Sequence, residues 1–428
     1  MKKTLLRNIT STTVISGSSR AVIFVIPIVI SIYFGVSKAT DSFFFIYALI
    51  FYIVTTFSTV IRPTIVPYFS NEENDASNAV NSILFYSLSF FLFLFVLMFF
   101  SLSGLLEALT HFDDNQITLI RTMFPLMYPL TFFAVNSSVL AALLDSKKLF
   151  WINPVSQFAY GFCVILGMLI FHNHFSVLSI VVGYTFGSLV RYIMLFVFSK
   201  KYIHYRFEYR FTDQFKAYLK KSLYYLVGMF LLSIYPLLDR FFASTLETGS
   251  LTILDYADKF YRIPIILATD GLIVVMLSYW SNDSAKSEFK SSSVGKTVFN
   301  SFKVLLVLSL LYSAAAFFFI KIFYSNFGSV EAHYIQKIRE LFLIMMLGYI
   351  PAILHMLYTR WMMVEGLTKT LMYLCIYKLI LKCIFNVIFV RFFDVYGIAL
   401  STAAINYLSL SFVWYVYYKK TRQGLNKT

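Results

Sequence analysis

Apolar runs long enough to cross a bilayer recur about twelve times along this chain, at 9–35, 42–69, 81–106, 117–144, 149–171, 176–198, 221–245, 251–280, 297–324, 338–363, 369–392 and 395–418. A spanning helix needs about 20 mostly apolar residues, because the hydrocarbon core is ~30 Å thick and each residue rises about 1.5 Å. In that core every backbone polar group must be satisfied within its own segment, so such runs fold as helices. Only 13% of the residues are charged and 59% are hydrophobic, where a soluble domain carries roughly 25% charged residues. A water-soluble globule is excluded. The expected fold is an all-α polytopic membrane protein of about 12 transmembrane helices.

The net charge of +15 would suit a nucleic-acid partner if it formed one patch, but it is spread over the ends of the spans. Lys2, Lys3 and Arg7 precede span 1, Lys147 and Lys148 follow span 4, and seven Lys/Arg lie between Lys200 and Lys221 against Glu208 and Asp213. Lys419, Lys420, Arg422 and Lys427 close the chain. By the positive-inside rule these segments, and both termini, are expected in the cytoplasm. Glu72, Glu73 and Asp75 fall on the same side, although acidic residues weigh little in that rule. The first apolar run lacks an A-x-A-like cleavage site and is expected to stay as a signal anchor. Cys163, Cys375 and Cys383 lie inside spans and are read as packing residues, with no zinc site and no disulfide framework. His172, Asn173 and His174 are read as a short loop, and Asp113-Asp114 as a solvated turn. No metal and no cofactor are expected.

The chain repeats itself. Tyr68-Phe69-Ser70-Asn71-Glu72 parallels Tyr279-Trp280-Ser281-Asn282-Asp283, Phe34-Gly35 parallels Phe242-Ala243, and Tyr47-Ala48 parallels Tyr256-Ala257. The organisation expected is a six-helix bundle at 1–200, a basic cytoplasmic linker at 201–220, a second six-helix bundle at 221–418 and a basic tail at 419–428. Parallel repeats of this kind are related by an axis along the membrane normal and bind their substrate where the repeats meet.

Two motifs carry a family resemblance. The first is Ser19-Arg20, then Phe34-Gly35, Ala39-Thr40-Asp41-Ser42-Phe43-Phe44 and Val66-Pro67. The second is Phe242-Ala243-Ser244, Gly249-Ser250 and Tyr256-Ala257-Asp258-Lys259-Phe260-Tyr261-Arg262-Ile263-Pro264. Together they resemble the lipid II flippase (MurJ-type) family of the MOP superfamily, which also holds the Wzx-type polysaccharide flippases. The resemblance implies a MATE/MOP-like pair of pseudo-symmetric bundles and transport by alternating access. The chain departs from the MurJ-type pattern at Ile26 and Val54-Thr55, where that pattern has arginines, and at Lys259, where it also has arginine. Family members have two further helices.

Charges inside spans are the candidate site. A charge at the bilayer centre costs about 2.5–3.5 kcal/mol on insertion scales, so it persists where it meets a partner or a wet cavity. Arg20 lies about a dozen residues, or ~18 Å, into span 1, too deep for easy snorkelling. Lys259 and Arg262 share a face with Asp255 and Asp258, and pairing at i,i+3 or i,i+4 is the bland alternative to a ligand. Lys378 and Lys382 are one turn apart, with Asn386 a turn further and no acidic residue in that span before Asp394. Arg20, Lys259, Arg262, Lys378 and Lys382 are therefore read as a cationic cavity. Asp258 and Asp270 are candidates for coupling to H+ or Na+, with Asp41, Arg62, Arg191 and Asp239 as weaker candidates.

The substrate expected is a polyprenyl-pyrophosphate-linked oligosaccharide, such as an O-antigen or capsule unit, flipped across the bacterial plasma membrane for a polysaccharide polymerase machinery. The departures above favour that substrate over the alternative, lipid II. A cation-coupled multidrug exporter would need an acidic pocket. A polysaccharide polymerase would need a large outer catalytic loop, and none is evident, so no enzyme is expected.

Overall fold

The computed structural model describes residues 2–70, 75–269, 291–327 and 329–425. Among these residues there is no strand, and thirteen helices follow one another. They are α1 (Lys2–Phe34), α2 (Lys38–Ser70), α3 (Ala76–Leu109), α4 (Asp114–Met127), α5 (Pro129–Ser146), α6 (Ile152–Phe175), α7 (Leu178–Ser199), α8 (Asp213–Ser244), α9 (Ser250–Ala268), α10 (Ser291–Phe327), α11 (Ala332–Leu347), α12 (Tyr349–Val364) and α13 (Thr368–Leu425).

The twelve expected spans correspond to these helices in order, span 8 only in part because its residues 270–280 lie outside the described ones. Spans 4 and 10 are each written as two helices. Tyr128 keeps helical geometry and donates to the Phe124 carbonyl at 2.8 Å, so α4 and α5 continue one another across Pro129, which has no N–H to bond back. Between α11 and α12, Gly348 donates to Met345 at 2.9 Å in a tightened turn. A Cβ on Gly348 would sit 2.7 Å from the Ala403 Cα, so glycine is what lets the neighbouring helix approach. In α13 the backbone leaves helical geometry at Asp394, with φ 49° and ψ −133°. The 54 residues Lys369–Arg422 would make a straight rod of about 81 Å, far beyond one ~30 Å core. The turn at Asp394 divides them into spans 11 and 12.

Helix starts follow local chemistry. Ser37 and Thr40 cap each other at the start of α2, Ser37 N–H donating to Thr40 Oγ1 at 2.8 Å and Thr40 N–H to Ser37 Oγ at 3.2 Å. Asp113 is the N-cap of α4 in a capping box with Gln116, the physical content of the turn expected at Asp113-Asp114. Thr212 caps α8, so that helix begins within the stretch read as a linker. The segment ahead of it, 200–212, is fastened to α3: Asn81 donates to the His204 carbonyl at 2.9 Å, Ser82 to Arg210 at 3.1 Å and Tyr86 to Tyr209 at 2.7 Å.

The chain forms two compact units, Met1–Gly249 and Ser250–Thr428. In the first, α6 packs on α7 and on α1, and α2 packs on α5 and α8. A core of Tyr68, Phe69, Ala142, Leu195 and Phe215 closes one end. In the second, α9 packs on α11 and α12 on α13. Phe93, Phe100, Leu310 and Leu311 on α3 and α10 are 67%, 80%, 64% and 65% exposed, as helix faces turned to lipid are.

Candidate functional site

Helix α9 carries most of the chemistry read from the sequence. Pro264 has no N–H to give the Phe260 carbonyl four residues back, and the Tyr312 hydroxyl donates there instead at 2.7 Å. The Tyr349 hydroxyl reaches the Pro264 carbonyl at 3.4 Å. Tyr256 stacks on Tyr324 and Phe260 meets it edge-on, with ring centroids 5.8 and 6.3 Å apart. These contacts seat the apolar face of α9 and fix the rotation of its charged residues.

Two ion pairs result. Arg262 Nε donates to Asp258 Oδ2 at 2.6 Å, and Lys259 Nζ lies 3.4 Å from Asp255 Oδ2. Both run i,i+4 with the acid nearer the N-terminus, the more favourable order. The carboxylates are buried, whereas the Arg262 side chain is 46% exposed and that of Lys259 24%. The four groups therefore sum to zero charge. Arg262 carries a planar fork of five donors, of which Nε makes the Asp258 contact.

The lysines of α13 differ from one another. Lys382 is fully buried and donates to Thr402 Oγ1 at 2.6 Å, and Thr402 in turn donates to the Ile398 carbonyl at 3.1 Å. The contact joins span 11 to span 12 across the turn at Asp394. Asn386, one turn on, is also buried. Lys378 is half-buried and within electrostatic reach of the buried His355 on α12. Sequence reasoning missed His355 and Thr402. A histidine amid an apolar run is a legible signal, whereas a threonine twenty positions from its partner is not.

In the first unit, Arg20 is exposed on α1 beside the buried Ser19. Asp41 is buried in the first turn of α2 and accepts from the Gly249 N–H. Gly249 has φ 91°, a conformation that glycine adopts without strain. Arg191 is half-buried on α7 and donates to Asn153 Oδ1 at 3.2 Å. Asp239 is half-buried, and its neighbour Arg240 donates to the Pro236 carbonyl at 3.3 Å. Arg62 lies on α2, but its side chain is outside the described residues, as are Asp270 and the Tyr279–Asp283 and Asn71-Glu72 parts of the repeat. Among the described residues no cluster of three or more His, Cys, Asp or Glu is placed to hold a metal ion.

Residues 30–428 match the family described as lipid II flippase MurJ. The chain belongs to this family. A probable lipid II flippase MurJ of Buchnera aphidicola is 26% identical over 95% of this chain and 83% of its own length. One from Borreliella burgdorferi is 24% identical over 58% of this chain and 50% of its own. A solved lipid II flippase MurJ in an inward closed conformation superposes with a TM-score of 0.80 at 20% identity, covering 97% of this chain and 91% of that one. An inward-facing MATE multidrug transporter of the MOP superfamily gives 0.75 at 13% identity, covering 95% of each. The MOP architecture expected from the two motifs is therefore the architecture found. As a MurJ family member the chain is a multi-pass membrane transporter-type protein rather than an enzyme.

Proposed function

We propose that this protein flips lipid II, a polyprenyl-pyrophosphate carrying a peptidoglycan precursor, from the inner to the outer leaflet of a bacterial inner membrane. The observation that carries this reading is the family match across residues 30–428. It moves lipid II ahead of the polysaccharide unit favoured by the motif departures alone. Both termini lie in the cytoplasm, as the basic segments support. The spans form two six-helix halves, as the repeat supports.

Arg20, Lys259, Arg262, Lys378 and Lys382 supply the positive charge that the pyrophosphate meets. Arginine suits phosphate oxygens through its planar fork and lysine as a compact charge. With the interior negative, outward movement of each anionic charge gains about 2.3 kcal/mol per 100 mV, enough to drive the step. Proton or sodium coupling through Asp258 or Asp270 is the alternative drive.

The polysaccharide reading keeps one specific support. Ile26 and Val54, where MurJ-type sequences carry arginine, are 1% and 8% exposed and belong to the apolar core. The deciding experiment places the gene in two strains, one depleted of its lipid II flippase and one lacking its surface-polysaccharide flippase. Rescue of the first with outer-leaflet lipid II restored supports the proposal. Rescue of the second alone overturns it and restores the polysaccharide unit as substrate.

A further inference from the structure

The segment 200–212 lies along the first turns of α3, where the third apolar run of the sequence begins. Side chains of α3 hold its His204, Tyr209 and Arg210 carbonyls, and two ring contacts add to them. Phe207 meets Phe85 edge-on with centroids 4.7 Å apart, and Phe211 stacks on Tyr86 at 4.9 Å. Further along the same helix Leu92 and Phe93 are exposed, as residues facing lipid are. The segment is thus fixed at the level where hydrocarbon gives way to headgroups.

What it turns outward is basic and aromatic. Arg206, Phe207, Tyr209 and Arg210 are exposed, Phe207 at 79%, whereas Glu208 between them is half-buried. Lys200 and Lys201 are exposed as well, and Glu208 is the one acidic residue from 200 to 210. Glu208 stands 3.8 Å from Arg206 Nε, too far for a hydrogen bond. The Arg210 guanidinium lies 5.2 Å from the Tyr209 ring centroid. Among the described residues neither guanidinium donates a hydrogen bond, so the planar fork of each is open.

Charge and depth together select the occupant. A guanidinium fork matches the oxygens of a phosphate, and aromatic rings settle at the boundary between hydrocarbon and water. Basic segments beside spanning helices attract acidic lipids. Because α3 already holds the backbone, little ordering remains to oppose binding. We infer that the segment 200–212 is a docking site for the headgroup of an acidic phospholipid, whose phosphodiester meets Arg206 and Arg210 while Phe207 and Tyr209 lie against the upper acyl chain. The segment joins α7 to α8, so a bound lipid anchors that joint at the membrane surface. The site is independent of the substrate flipped and of the side of the membrane on which it lies.

The test uses the full-length protein carrying Phe207→Trp, in neutral detergent micelles titrated with phosphatidylglycerol or phosphatidylcholine brominated on the acyl chain. Quenching of the introduced indole, after subtraction of the parent's signal, reports binding. Phosphatidylglycerol is expected to quench at a lower mole fraction than phosphatidylcholine. Arg206→Gln and Arg210→Gln should each raise its half-saturating mole fraction about fivefold, and replacement of both by lysine should raise it less. Lys296→Gln with Lys303→Gln removes as much charge from exposed positions of α10 and should leave it unchanged. Equal quenching by the two lipids would overturn the site and leave the segment to an acidic protein partner. An equal loss in the α10 pair would reduce it to attraction by net charge. Displacement by inorganic phosphate beyond that by sodium chloride of the same ionic strength would make it a site for a soluble anion instead.

Discussion

The Tyr312 hydroxyl donates at 2.7 Å to the Phe260 carbonyl, the acceptor that Pro264 cannot serve. A proline inside a spanning helix is tolerated when a neighbouring group takes over the freed backbone atom. Here a second helix supplies that group and is tied to α9 by it. Tyr312→Phe should therefore lower stability by about 1 kcal/mol. In a Pro264→Ala background, where the helix regains its own amide donor, the loss should be smaller. A double-mutant cycle of thermal unfolding in micelles measures the difference, and equal losses in both backgrounds would sink the account.

Lys382 and Thr402 make a different prediction, because one partner is a fully buried charge. Removing only the acceptor takes one hydrogen bond from an ammonium in low dielectric, whereas removing the charge itself also removes its desolvation cost. Thr402→Val should thus destabilise by about 1.5–3 kcal/mol and Lys382→Met by less. The order of the two melting temperatures is the readout, and the reverse order would show that the ammonium's attraction outweighs its burial.

Arg20 tests the transport path. Arg20→Ala should abolish rescue of the flippase-depleted strain at matched membrane expression, and Arg20→Lys should recover part of it because charge returns without the planar fork. Full activity of Arg20→Ala would remove the residue from the path. Asp270→Asn should leave rescue intact if the membrane potential drives transport, and a severe loss would indicate a coupling cation.

Asp113 offers a pH test outside the spans. Its carboxyl is held below the ordinary carboxylate range, first by the Lys38 ammonium at 2.6 Å and then by the Gln116 backbone amide. A depressed folded value means the contribution to stability is full above the ordinary value of about 3.9 and is lost as pH falls through the lower folded value. Asn also caps a helix, so Asp113→Asn isolates the charge. Its melting temperature should fall slightly below that of the parent from pH 7 down to about pH 5 and converge with it in stronger acid. A gap that stays unchanged in acid below the folded value would exclude the linkage.

The spanning helices were legible in sequence because a run of about twenty apolar residues has one stable form in hydrocarbon, a helix that satisfies its own backbone. The two motifs carried the superfamily for the same reason, as short local patterns. The pairs on α9 were legible: Asp255 and Asp258 each have a basic residue four positions on, Lys259 and Arg262, and the observed helix forms both pairs. Contacts between helices were not legible. Asp41 with Gly249, Phe260 with Tyr312 and Lys382 with Thr402 lie 208, 52 and 20 positions apart. Whether such residues meet depends on the tilt and rotation of each helix, which packing against neighbours sets and apolar length does not. The turn at Asp394 and the close approach at Gly348 belong to the same class.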